Sequence, residues 1–272
     1  MWWPVLIFCV QSNEAMGIDS HAIVDPEATL ADDVSVGAFS IIGPNVEISS
    51  GTWIGPHVTI NGPTRIGKNN RIFQYASLGD APQDMHYEGE NTRLDIGDNN
   101  IIREFVTMNR GTTSGGEVTS LGDNNFIMSY AHIAHDCKVG NYTIFANNAS
   151  LAGHVIISDH AILSGFTLVH QFVSIGEHCF TGMGSAISKD VPPYMRVAGN
   201  PAKAFGMNSE GLKRRGFSAD ALSDLRKAYK ILYKSRLTLE DAVNALEEMA
   251  VTSNEISNIV TFIKQARRSI IR

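Results

Sequence analysis

An aliphatic residue falls on every sixth position from Val24 through Leu30, Val36, Ile42, Ile48, Ile54, Ile60, Ile66 and Ile72 to Leu78. No α-helix accommodates this pattern, because a helical apolar face recurs every three to four residues. The fifth place of each hexad is small or short-chained: Ala28, Val34, Ser40, Val46, Thr52, Val58, Thr64, Asn70 and Ala76. Glycine directly follows the aliphatic position at Gly37, Gly43, Gly55, Gly67 and Gly79. A large inward residue, a bend and a small inward residue describe a short parallel strand with its turn. Three hexads close one triangular coil, so residues about eighteen apart stack, and the chain is expected to be a mainly β parallel β-helix.

The rhythm is interrupted twice. Residues 80–93, with Gln83, Asp84 and His86, drop the pattern, which returns in phase at Ile96, Ile102 and Met108. It breaks again over 111–119 and resumes one residue out of phase at Leu121, continuing to Ile187. Two loops projecting from a rigid coil are natural places for ligand contacts. Val191-Pro192-Pro193 is expected to end the strands, giving a β-helix over 16–193 and a helical domain over 194–272. In the latter, Ser218 can cap a helix carrying Leu222, Leu225, Tyr229 and Leu232. Thr238 with Asp241 resembles a capping box, and Asn254 can start a helix with Ile259, Phe262 and Ile263. Such a domain covers the coil end, which would otherwise expose its core. Met1 to Val10 is apolar but too short to span a bilayer and lacks a basic lead, so residues 1–15 read as an over-extended start, with Met16 as the true beginning.

The formal net charge of −6 conceals an asymmetry: residues 203–272 carry thirteen Lys/Arg against eight Asp/Glu, and the acidic excess lies in the remainder. A basic end on an acidic body points to an anionic partner or a phosphorylated ligand there, although a solvated helical surface would read the same way. Cys9, Cys137 and Cys179 show no metal or disulfide spacing. Cys137 and Cys179 sit at the fifth hexad place, as small core residues in a reducing compartment, which makes cytoplasm the expected location.

One stretch collects residues able to do chemistry. His135-Asp136, Ala152-Gly153-His154 and His170-Gln171 follow the aliphatic positions Ile133, Leu151 and Val169. Stacking by coils puts His135 over Gly153 and Gly153 over Gln171, with His154 and His170 alongside. A histidine beside a carboxylate is an economical general base near neutral pH. Adjacent strand residues normally point apart, so Asp136 acts through a bend or not at all. A glycine allows a backbone N–H to approach closely, as an oxyanion donor must. No serine or cysteine in the column offers a nucleophile, which favours direct transfer over a covalent intermediate. Any one of His132, His135, His154 or His170 is more often a turn or surface residue, and their coincidence on neighbouring coils is what points to function. Several imidazoles on adjacent coils also make an open three-histidine zinc site, and spacing alone keeps that alternative open.

The runs His132-Ile133-Ala134-His135-Asp136, Leu151-Ala152-Gly153-His154, His170-Gln171-Phe172 and Glu210-Gly211-Leu212-Lys213-Arg214-Arg215-Gly216-Phe217-Ser218 resemble the bacterial UDP-N-acetylglucosamine O-acyltransferases of lipid A biosynthesis. The resemblance spans about residue 17 to the C-terminus. It implies a left-handed β-helix assembled as a homotrimer, a handedness that the spacing does not supply. It also implies transfer of an (R)-3-hydroxyacyl group from acyl carrier protein to the 3-hydroxyl of UDP-N-acetylglucosamine. By that matching His135 is the base, Asp136 its support and Gly153 the oxyanion donor. His132, His154, His170 and Gln171 line the sugar, phosphate and acyl regions, with Gln83 and Asp84 on the 80–93 loop and Asp84 meeting the acyl hydroxyl. Asn208, Glu210, Arg214 and Arg215 grip the nucleotide and its phosphates. Met183, one coil beyond Gly165, is implied to end the acyl groove at ten carbons, where glycine would admit fourteen; methionine as plain filler is the alternative. His86 stands where the family usually has lysine, and Asn109-Arg110-Gly111 where it has His-Arg-Gly. The implied partners are the carrier protein, the sugar nucleotide and copies of the chain itself, with no nucleic acid and no stable membrane insertion. No metal or cofactor is implied, the acyl donor being carried on the carrier's phosphopantetheine. The alternatives are a related N-acyl- or coenzyme A-dependent acetyltransferase, a zinc carbonic anhydrase-like β-helix, and a catalytically silent scaffold.

Overall fold

The computed structural model describes residues 17–272, and the expectation for 1–15, with Cys9, lies outside them. Twenty-five two- to four-residue strands from Ile23–Val24 to Ala186–Ile187 wind into three parallel sheets, each forming one face of a triangular prism. The first face holds nine strands, from Ile23–Val24 through His132–Ile133 and Ser150–Leu151 to Ala186–Ile187. The second runs from Thr29–Leu30 to Ser174–Ile175 and the third from Ser35–Val36 onward. This is the expected left-handed parallel β-helix. Register follows the eighteen-residue stacking in the uninterrupted coils, as in Ile133↔Leu151 and Leu151↔Val169, and the two loops lengthen it in pairs such as Leu78↔Met108 and Met108↔Ile133.

The interior is the hexad itself. Ile54, Ile60, Ile72, Leu78, Ile102, Ile127 and Leu163 are fully buried, and so are the fifth-place residues Val58, Val106, Cys137 and Cys179. Burial pushes both of these thiols up to about 12, as core cysteines require. Polar fifth-place residues are satisfied coil to coil: Asn70 Oδ1 accepts Asn100 N–H at 2.9 Å, Asn100 Oδ1 accepts Asn125 N–H at 2.8 Å, and Asn125 Oδ1 accepts Thr143 N–H at 2.7 Å. An Asn ladder therefore substitutes for an aliphatic stack and pairs those backbone amides, while the side-chain Nδ2 of Asn100 is left without a partner among the described residues.

Corners turn at the fourth place, where Phe39, Asn45, Tyr75, Asn124, Tyr130, Asp136, His154 and Phe172 all have φ between 57° and 65°. That conformation costs a non-glycine residue about 1–2 kcal/mol. The corner N–H offsets part of it by donating to the previous coil, as Tyr75 does to His57 and His154 to His135, both at 3.0 Å. Aromatic corners offset more by stacking, at about 0.5–1.5 kcal/mol per pair. The edge between the third and first faces carries such a stack: Phe39, His57, Tyr75, Phe105 and Tyr130, with successive centroids 4.7–5.4 Å apart.

The strands do not end at Pro193, as the sequence reading expected. Pro192 and Pro193 occupy a corner, where no ladder N–H is needed, and Met195–Ala198 then adds to the third face beside Phe180–Thr181. Lys203–Met207 closes that face antiparallel. Four helices follow: α1 Ser209–Arg214, α2 Ala219–Lys234, α3 Leu239–Ala250 and α4 Asn254–Gln265. Ser218 and Thr238 cap α2 and α3 as expected, accepting from Ala221 N and Asp241 N. Helix α1 was not expected, because six residues are too few to display a helical period.

Candidate active site

Both sequence interruptions leave the prism at the same edge, between the first and second faces, and that edge carries His135, Gly153 and Gln171. At Asp136 the left-handed corner turns the carboxylate back toward its neighbour, and His135 Nδ1 stands 2.7 Å from Asp136 Oδ2. The 111–119 loop folds over this pair. Thr112 donates its N–H to Asp136 Oδ1 at 2.8 Å and its hydroxyl to Oδ2 at 2.7 Å, while Asp136 N–H donates to Thr119 Oγ1 at 2.7 Å. A Cβ on Gly115 would lie 1.9 Å from the Asp136 carboxyl carbon, so the loop backbone packs directly on the carboxylate, and the Asp136 side chain is wholly buried. Burial by itself would raise this acid, but the hydrogen bonds from His135 and Thr112 outweigh it and hold the carboxyl below its ordinary value. An ionised carboxylate only accepts, so the His135 proton sits on Nδ1 and Nε2 presents a free lone pair.

Gly153 lies under the His135 ring, where a Cβ would come 2.6 Å from Cε1 and 2.7 Å from Nε2. Only glycine leaves that ring its place, and among the described residues the Gly153 N–H makes no hydrogen bond. His154 stacks on Phe172 with centroids 4.4 Å apart and meets the His135 ring edge-on at 5.2 Å. His132, on the first face, shares a 2.7 Å hydrogen bond with Thr107 Oγ1. Burial pushes the imidazoles of His132 and His154 below their ordinary value, so both are neutral at neutral pH. Donor atoms of His135, Asp136 and His154 lie within 4.8 Å of one another, a spacing that suits a metal ion as well as a proton relay. Asp136 Oδ2, however, already faces His135 Nδ1 and the Thr112 hydroxyl, each at 2.7 Å, which is hydrogen-bond geometry.

The 80–93 loop stands on the same edge. Asp84 Oδ1 accepts His86 N–H at 3.0 Å and faces its Nδ1 at 3.1 Å, while the Gln83 side chain is exposed. The Asn109-Arg110-Gly111 run holds this loop's base. Arg110 Nη1 donates to the carbonyls of Gly62 and Gly79 at 2.5 and 3.1 Å and Nη2 to the Tyr87 hydroxyl at 3.0 Å, and Asn109 Nδ2 donates to Ala81 O at 2.8 Å. His170 and Gln171 lie one coil beyond Gly153 and are exposed.

The other expected site residues stand on other edges of the prism. Gly165 and Met183 occupy the edge between the third and first faces, and Met183 is 79% exposed. Glu210 and Arg214 lie on α1, and Arg215 follows it beside the edge between the second and third faces, its Nη1 3.4 Å from His178 Nδ1. Asn208 is buried, its side chain donating to His178 O at 2.9 Å and accepting from Gly211 N–H as the cap of α1. One chain therefore assembles the histidine–aspartate pair but does not gather all the expected recognition residues around it. Thr107, Thr112, Gly115 and Thr119 escaped the sequence reading: Thr112 and Gly115 lie in a loop with no periodic signal, and Thr107 and Thr119 occupy strand positions that the hexad does not mark as functional.

Two family profiles match: UDP N-acetylglucosamine O-acyltransferase domain 2 over residues 190–271, and the bacterial transferase hexapeptide (six repeats) over 119–153. An acyl-[acyl-carrier-protein]–UDP-N-acetylglucosamine O-acyltransferase of Thiobacillus denitrificans is 54% identical over 255 residues, covering 94% of this chain and 99% of that protein. One from Stutzerimonas stutzeri is 55% identical at the same coverage. Among solved structures, the UDP-N-acetylglucosamine acyltransferase of Francisella novicida superposes with a TM-score of 0.93 at 45% identity, covering 94% of each chain. The enzyme of Acinetobacter baumannii superposes with a TM-score of 0.92 at 46% identity, covering 94% of this chain and 99% of that one. Identity above one half, sustained over nearly the whole of both chains, extends past the shared coil to the helical end: the chain belongs to the acyl-[acyl-carrier-protein]–UDP-N-acetylglucosamine O-acyltransferase family and is an acyltransferase.

Proposed function

We propose that this enzyme transfers an (R)-3-hydroxydecanoyl group from acyl carrier protein to the 3-hydroxyl of UDP-N-acetylglucosamine, the first step of lipid A biosynthesis. The observation that carries the mechanism is the His135 Nδ1–Asp136 Oδ2 contact of 2.7 Å, which leaves His135 Nε2 free to take a proton. As Nε2 takes the proton of the sugar hydroxyl, that oxygen bonds to the thioester carbonyl carbon. The Gly153 N–H receives the developing oxyanion, the C–S bond then breaks, and the proton held by His135 passes to the departing thiolate. Direct attack is supported by Cys137, the nearest thiol in sequence, being fully buried and pushed up to about 12, where it is no nucleophile. No metal or cofactor enters this scheme.

The working unit is a homotrimer. In support, the edge bearing Gly165 and Met183 exposes Phe39, Tyr75, Phe105, Tyr130 and Phe166, and the adjoining first face exposes Ile23, Ile41 and Leu168, an apolar surface of the kind an assembly covers. Copies packed through it would bring a second chain's Met183 edge and Arg214–Arg215 end toward the His135 edge. The acidic carrier protein docks on the helical end, where Arg226, Lys230 and Lys234 of α2 join Arg196 in lining a groove of about 520 Å³. The reaction belongs to the cytoplasm, and no helix among the described residues is long and apolar enough to cross a membrane.

The test is incubation of purified enzyme with 3-hydroxydecanoyl carrier protein and UDP-N-acetylglucosamine, with product mass as readout. His135→Ala is expected to retain the native sedimentation of a three-chain particle and to lose two to four orders of magnitude in kcat, roughly the worth of a general base. Near wild-type turnover in that variant would remove His135 as base.

A further inference from the structure

The last residues of the chain return to the coil and touch the histidine column. Past α4, the N–H groups of Arg267 and Arg268 donate to Asp190 Oδ2 at 3.0 and 3.3 Å, and Asp190 Oδ1 accepts Ser174 N–H at 2.8 Å. Asp190 N–H donates to Ser269 O at 2.9 Å, Ile271 N–H donates to Asp190 O at 2.8 Å, and Asp190 is wholly buried. This clip holds the tail by its backbone and aims the Arg268 side chain at the His170–Gln171 turn. Arg268 Nη1 lies 2.5 Å from His170 Nδ1 and 3.0 Å from Gln171 O. Among the described residues the His170 ring is otherwise tied only to that same carbonyl, with Nδ1 3.2 Å from Gln171 O.

A guanidinium has five N–H donors, no acceptor, and keeps its charge in proteins. The atom facing it at 2.5 Å must therefore offer a lone pair, so in neutral His170 the proton sits on Nε2. Remove the guanidinium, and the nearest group to Nδ1 is a carbonyl oxygen, which draws the proton to Nδ1 and leaves Nε2 as an acceptor. One side chain thus reverses the hydrogen-bonding sense of the outward ring edge.

We propose that Arg268 is a positioning residue that fixes His170 as the Nε2–H tautomer, so that the ring donates to an acceptor oxygen of the acyl donor. The assignment to the acyl donor rests on the acyltransferase reading above; the tautomer does not. In the wild type, long-range proton–nitrogen correlation spectra of imidazole-labelled enzyme, with His170 identified by loss of its signals in His170→Gln, should show Nε2 protonated. Arg268→Ala should move the proton to Nδ1, and Arg268→Lys, which also only donates, should keep it on Nε2. Because the tail is clipped through its backbone, the alanine variant should fold. Kinetically, Arg268→Ala should raise KM for the acyl carrier about tenfold, leave KM for the sugar nucleotide and kcat within about twofold, and add no further loss to His170→Ala. An unchanged tautomer in Arg268→Ala, or equal losses in the presence and absence of the His170 ring, overturns the proposal. A tautomer shift in a chain that transfers no acyl group would overturn only the assigned function, whereas an active enzyme with an unmoved proton would overturn only the role of Arg268.

Discussion

Along an extended strand, a carboxylate one residue after a histidine faces the opposite side. At Asp136 a φ of 61° brings the two side chains within 2.7 Å, and Thr112 saturates the carboxylate from the other flank. The Thr112 hydroxyl bond at 2.7 Å is one of two it makes to Asp136, so Thr112→Val keeps the backbone bond and loses the other. A hydrogen bond to a charged group is worth about 1.5–3 kcal/mol. If Asp136 holds His135 in its reactive tautomer, kcat in Thr112→Val should fall roughly tenfold or more with both KM values little changed. Unaltered kcat would mean that Thr112 only packs the loop.

At the scale of elements, the edge between the second and third faces carries a second stack, Tyr142, His160, His178 and Tyr194, with centroid spacings of 4.6–5.8 Å. Burial pushes His178 down to about 4, with His160 and the Arg215 guanidinium adding to it. Its folded value lies below the ordinary 6.5 of the unfolded chain, so between these two pH values the unfolded state binds the extra proton. Stability from this residue is therefore complete above about pH 6.5 and is lost as pH falls toward 4, by up to about 3 kcal/mol. His178→Gln, which cannot charge, should flatten the decline of the urea midpoint between pH 7 and pH 5. A decline as steep as in wild type would place the acid sensitivity elsewhere.

The whole molecule divides its expected recognition residues among three edges of one rigid prism, which is the physical argument for an assembly of several copies. On the proposed reading, Met183 closes the acyl groove from a neighbouring edge in such an assembly. A ten-carbon donor should be preferred, and Met183→Gly should shift preference toward fourteen, because each methylene left in water costs about 0.8 kcal/mol. Competition between the two donors, read by product mass, decides this; an unchanged ratio makes Met183 surface packing. The basic groove on α2 makes a separate demand. KM for the carrier protein should rise with added salt, since exposed charges are screened beyond about 8 Å at physiological ionic strength. A salt-independent KM for the carrier would exclude electrostatic docking.

The hexad by itself determined the β-helix, the register of its uninterrupted coils and the column of His135, Gly153 and Gln171, because a coil of fixed length converts sequence spacing into vertical stacking. Caps at Ser218 and Thr238 were legible for a similar reason, being local signals that no distant contact needs to supply. The strand Met195–Ala198 was hidden because the two prolines before it read as a stop, although they sit at a corner where a missing N–H costs nothing. The orientation of Asp136, the burial of its carboxylate under Thr112, and the reach of Arg268 to His170 were decided only by tertiary structure. Each depends on a backbone sign or on a loop or tail returning across 24 to 98 residues, and no period in the sequence records where such a segment comes to rest.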